Sequence, residues 1–262
     1  MQEINGEHVA EGIRSLHARL DELERLIAGH GEATATTPAG RRPAWRRATD
    51  GEARWQVTLC TAAAIAVQLT LPAGLVLVRP VWVLPVVQGL LLVGLVAANP
   101  HRINRESRPM RALSLTLAAV LSIANAWSVA RLVDVIVSGG PAASKPVTLL
   151  LTGSAVLVTN ILAFSLWYWE FDRGGPVARA QGAKQYPDFA FPQMMTPEIA
   201  PPHWEPAFVD YLFLGFTNAV AFSPTDVMPL SRWAKVAMTV QSALTLVTMG
   251  LIVARAVNIL QS

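Results

Sequence analysis

The chain is short of charge, of cysteine and of every motif that marks a catalytic or nucleotide-binding site. Of its 262 residues only 15% are Asp, Glu, Lys or Arg, while 52% are hydrophobic. Soluble domains carry roughly 25% charged residues, so this balance excludes an ordinary water-soluble fold. The one cysteine, Cys60, lies inside an apolar run; an intrachain disulfide is impossible and the thiol reads as a small buried hydrophobe. The five histidines, His8, His17, His30, His101 and His203, lie outside the apolar segments and in no metal-ligand spacing. Walker, GxSxG and CxxC patterns are missing as well, so no enzymatic activity, metal or cofactor is expected. A basic-then-apolar start is also lacking, which leaves the first membrane helix as the expected insertion signal. The net charge of +3 is small, and its Arg clusters sit beside apolar runs. That placement points to lipid headgroups and topology, not to nucleic acid.

What is present is a series of apolar runs. Five have the length of a membrane span: Gln56–Val78 with a kink expected at Pro72, Pro80–Asn99, Ala112–Val137, Val147–Trp169 and Val236–Ala254. A sixth, Phe208–Phe222, has only 15 uncharged residues between Asp210 and Asp226 and ends in the polar turn Ser223–Pro229. Runs that short are usually re-entrant or buried. The expected architecture is therefore all-α: a polytopic helical membrane bundle of five full spans plus one short helix that crosses or re-enters. Residues 1–30 precede it as an amphipathic helix with Val9, Ile13, Leu16, Leu20, Leu23 and Ile27 at alternating spacings of four and three, a coiled-coil seam. Residues 31–53 read as a basic linker, 54–172 as a four-helix membrane region, 173–206 as an ordered connecting collar, and 207–262 as a pore-like C-terminal element.

Loop charge sets the orientation. The Arg clusters at 41–47 and 102–111 lie an even number of crossings apart and share one side, cytoplasmic by the excess of Lys and Arg expected there. This predicts a multi-pass protein of the inner membrane with a cytoplasmic N-terminus and external joints at Arg79 and Lys145. If 208–222 crosses, both chain ends lie inside and Ser223–Ser231 outside, and the sequence favours that option. If it re-enters, Ser262 ends outside.

Ionisable groups within or beside the spans are the candidate functional residues, because charge in hydrocarbon is costly. Arg131 and Asp134 share a helical face; Glu170 and Asp172 close the fourth span beside Trp167, Tyr168 and Trp169, either as part of an aromatic belt or docked on the C-terminal element; Asp210 opens the short helix. These five are candidates for attracting ions or coupling to them. Thr217, Asn218, Ser223, Thr225 and Asp226 are candidates for a constriction.

The segment from Asp210 onward, with Phe216-Thr217, Asp226-Val-Met-Pro229 and Arg232-Trp-Ala-Lys235 opening a long helix, resembles the pore module of two-helix potassium-channel-like proteins. The chain as a whole resembles bacterial multi-span membrane proteins with such an end. No glycine occurs between Thr217 and Thr225, and stacked filter carbonyls need glycine's positive φ, so the potassium filter is not carried over. The resemblance implies a homo-oligomeric, channel-like protein acting on inorganic ions in the lipid bilayer. The alternative is a non-conducting scaffold whose coiled coil and 170–206 segment bind partners.

Overall fold

The computed structural model describes residues 16–17, 19–23, 43–103, 108–139, 146–221 and 226–261. The chain divides into two units, Met1–Arg42 and Pro43–Ser262. In the first, the described residues are helical, and Leu16, Leu20 and Leu23 of the expected seam are exposed. Val9, Ile13 and Ile27, and the linker up to residue 42, lie outside the described residues.

The second unit is mostly helical, built on α1 (Arg54–Leu69), α2 (Val83–Ala98), α3 (Arg108–Ser138), α4 (Pro146–Phe171), α5 (Phe208–Ala221) and α6 (Arg232–Gln261). Among the described residues three helices, α3, α4 and α6, are long and apolar enough to cross a membrane. The first expected span is shorter than its apolar run. Proline lacks the amide that an α-helix needs and pushes its predecessor out of helical geometry; α1 therefore stops at Leu69, before Pro72, where only a kink was expected. α2 likewise stops at Ala98, before Asn99-Pro100. Each has 16 residues, and at 1.5 Å per residue is about 24 Å long. Gln88 donates to Gln68 across this pair at 3.2 Å.

α4 is the central helix and packs against α1, α3, α5 and α6. Its contact with α5 is close because Gly215 has no side chain: a Cβ there would lie 2.2 Å from Ser165 Oγ. Gly153 does the same against Ile252 of α6, where a Cβ would meet the Ile252 Cδ1 at 2.3 Å.

Two short antiparallel pairings mark one end of the bundle. β1 (Glu52–Ala53) pairs with β2 (Arg102–Ile103), and β3 (Phe189–Ala190) pairs with β4 (Met228–Pro229). The end of α4, the starts of α1, α3, α5 and α6, and the 172–206 connection gather there. The far end holds Leu71 and Leu75 packed with Leu132, Ile136, Leu149 and Ile252.

This arrangement corrects the favoured topology of the C-terminal element. α5 starts beside Glu52 and Trp169, and β4, after it, pairs with β3 at the same end. The segment enters the bundle and returns. With 14 residues, α5 is about 21 Å long, short of a hydrocarbon core of about 30 Å. α6 then runs from that end to the other, so residues 226–231 lie at the end where α5 starts and not at the far one.

Candidate functional site

The densest polar group among the described residues is a buried knot where α4 ends. Asp172, Gly174 and Gly175 form a sharp turn around Arg173, whose φ is 51°, with the two glycines at 86° and 107°. Three successive residues in left-handed geometry reverse the chain, and two of them are glycines, which reach it without strain. At Gly175 a Cβ would lie 2.0 Å from Arg111 Nη1, so the turn also needs glycine for space.

Asp172 and Arg173 are almost fully buried, at 0% and 2% exposure. The Asp172 carboxylate accepts from Tyr211 Oη on α5 at 2.6 Å and from the Asp188 amide at 2.8 Å, with Arg173 Nε at 3.7 Å. Asp188 in turn accepts from the Arg173 amide and from Trp233 Nε1 of α6, both at 2.8 Å. Arg173 Nη1 donates to the Trp45 carbonyl, and its guanidinium lies over the Trp45 ring. Buried charge is tolerated only with such partners.

A second layer surrounds Glu52. Its carboxylate accepts from Trp169 Nε1 at 2.7 Å and from the Phe208 amide that opens α5, and Arg179 stands at 3.9 Å. Burial pushes the Glu52 carboxyl above the ordinary range, against the pull of Arg179 and the two hydrogen bonds. Arg179 sits over the rings of Tyr211 and Trp169 at 5.0 and 5.8 Å. Phe189 and Phe191 meet Tyr211 edge-on and close the site.

Below the knot an uncharged polar seam joins α4, α5 and α6. Gln241 accepts from Tyr168 Oη and Asn218 Nδ2, each at 2.7 Å, and donates to the Gly215 carbonyl at 2.8 Å. Asn218 also donates to the Met238 carbonyl at 3.0 Å, and Ser242 donates to Asn218. One level deeper Asn160 donates to Thr245 at 3.3 Å, leaving its own Oδ1 without a hydrogen-bond partner.

The candidate residues scatter over this frame. Asp172 is in the knot. Glu170 lies behind it, paired with Arg111 at 3.1 Å and accepting from Ser114. Asp210 accepts from the Ala207 amide at 2.8 Å, capping the start of α5. Thr217 bonds back to Phe213 and Leu214 of its own helix, and Asn218 faces α6. Asp226 is exposed beside β4, while Ser223 and Thr225 lie outside the described residues. Arg131 and Asp134 form an exposed pair at 2.6 Å at the far end, remote from the others. Tyr168 and Trp169, expected either in an aromatic belt or docked on the C-terminal element, are buried at 0% and 4% exposure, as is Trp45 at 7%. Glu52 and Arg179 engage Trp169, Arg173 engages Trp45, and the uncharged Gln241 accepts from Tyr168.

Sequence reasoning missed Glu52, Arg179, Asp188, Tyr211 and Gln241. Gln241 had a signal: an amide in an apolar run. Of the other four, Glu52 is in the two-residue β1, Arg179 in a five-residue helix (Pro176–Ala180), Asp188 in the connection after it and Tyr211 in the first turn of α5, where polar residues are unremarkable until folding buries them. No protein-family model, curated protein or solved structure matches this chain.

Proposed function

We propose that the chain is a channel-like integral membrane protein that conducts inorganic ions through a homo-oligomeric pore built around residues 207–260. The observation that carries this reading is the hairpin of α5 and β4, which enters and leaves the bundle at one end and is followed at once by the long α6. Irregular backbone at membrane depth is tolerated where it is enclosed by protein or lines a cavity, and a half-length helix with a returning segment supplies such backbone. This order of parts agrees with the resemblance to the potassium-channel-like pore module. In this reading α1 and α2 also cross, giving five spans, and the Arg-bearing end faces the cytoplasm. The hairpin then opens on the cytoplasmic side of the inner membrane. Asp210 and Asp226 stand at its two feet and concentrate cations there; Ser223 and Thr225 fall between α5 and β4 in the sequence. Assembly uses the seam of residues 9–27, whose leucines 16, 20 and 23 are exposed in one chain.

A second reading, a non-conducting scaffold, is supported by Asn218 and Thr217, whose polar groups are engaged inside one protomer. Planar-bilayer recording of the purified protein under a cation gradient separates the two. Channel activity predicts currents that Asp226→Asn and Thr217→Val alter. Absence of current, with ion flux in vesicles unaffected by both variants, removes the channel reading and leaves the scaffold.

A further inference from the structure

At the Arg-bearing end, α1, α2, α3 and α4 border two small adjoining cavities of about 40 and 30 Å³, which share Arg54, Ser114, Trp169 and Glu170 in their walls. Arg54, in the first turn of α1, is only 7% exposed, yet its Nε has no hydrogen-bond partner. One turn on, Thr58 Oγ1 lines the same space and is also buried without a partner. Residues i and i+4 lie on one face of a helix, so both unmet groups point into the cavity. A buried guanidinium donor left unmet costs more than a neutral one, so a missing acceptor is the economical explanation. Of the charged side chains in the two walls, Arg54 and Arg111 are cationic and Glu170 alone is anionic, leaving one positive charge in excess. Glu170 is already engaged by Arg111 and Ser114.

We infer that this cavity binds a phosphate group, with Arg54 and Thr58 as its ligands. A singly charged phosphodiester balances the surplus charge, and its oxygens accept from both Arg54 and the Thr58 hydroxyl. Two sources share this chemistry, a phospholipid headgroup and free phosphate. Past Thr58 the walls are apolar, through Val57, Leu92, Leu117 and Leu166, so the groups able to hold the anion gather at the Arg54 end of the cavity, and the test separates the two sources.

The test is thermal unfolding of the full-length, delipidated protein in detergent with phosphatidylglycerol, with inorganic phosphate, or with diacylglycerol, which lacks the phosphate. Phosphatidylglycerol is expected to raise the midpoint and diacylglycerol to leave it unchanged. Arg54→Gln is expected to weaken the apparent affinity about tenfold or more, the effect of losing a charge-assisted bond. An equal rise with inorganic phosphate supports the site and assigns it to the free anion. Where Arg54→Gln fails to fold, Thr58→Val carries the test and must lower the affinity. The inference is overturned if no phosphate-bearing probe shifts the midpoint, if diacylglycerol shifts it as much as phosphatidylglycerol, or if the variants respond as the wild type does.

Discussion

Tyr211 ties α5 to the end of α4 through one hydroxyl, donated to the Asp172 carboxylate, which water does not reach. Tyr211→Phe keeps the ring packing and removes that donor, leaving Asp172 with an unmet oxygen. The expected cost is about 1–3 kcal/mol of unfolding free energy, read from denaturant or thermal unfolding in detergent; a neutral outcome would mean that the knot is not stabilising. Glu52 gives a prediction in pH. Its folded carboxyl titrates above the ordinary value of 4.5, so between those two values the folded state holds more protons than the unfolded state. Stability contributed by Glu52 is then greatest below 4.5 and falls as pH rises through the raised folded value. Glu52→Gln should flatten that part of the stability–pH profile. The sequence showed Asp172 as a residue of interest, since an acid closing a span is visible in the text of the chain. Its partners were not visible: Tyr211 and Asp188 lie 39 and 16 positions away, and Trp45, the partner of the neighbouring Arg173, is 128 positions from it. Only the turn at Arg173–Gly175 brings them to one point.

At the level of the helices, apolar run length located α3, α4 and α6 well, because each run lies in a helix of 26 residues or more, above the roughly 20 a bilayer needs, and contains no proline in its interior. It overestimated the first span because Pro72 ends a helix that hydropathy alone would continue to Val78. The short Phe208–Phe222 run was legible as abnormal, but its path was not. Loop charge argued for crossing, whereas the pairing of Ala190 with Met228 holds the returning chain at its starting end. Such a pairing involves two residues on each side and leaves no periodic trace. The α4–α5 contact offers a sharp test. Gly215→Ala places a methyl group against Ser165 and should destabilise by about 1–3 kcal/mol through overpacking. Gly250→Ala, with nothing within 4 Å of the added carbon, should be neutral or stabilising by up to about 1 kcal/mol from helix propensity. Equal effects of the two would contradict the close approach of α4 and α5.

For the whole molecule, the composition set the class and the described helices set the frame, while the hairpin at the Arg-bearing end sets what the frame can do. Both the conducting and the scaffold readings depend on its path, since a crossing α5 would carry Asp226 to the opposite face from Asp210. Cysteine accessibility in oriented membrane vesicles measures that path directly. With Cys60 replaced by serine, single cysteines at His203, before α5, and at Asp226, after it, are labelled with a membrane-impermeant maleimide. A third at Arg79, in the joint between α1 and α2, marks the far end. A re-entrant α5 segment predicts that positions 203 and 226 react from one side of the membrane and position 79 from the other. Labelling of 203 and 226 from opposite sides would contradict it.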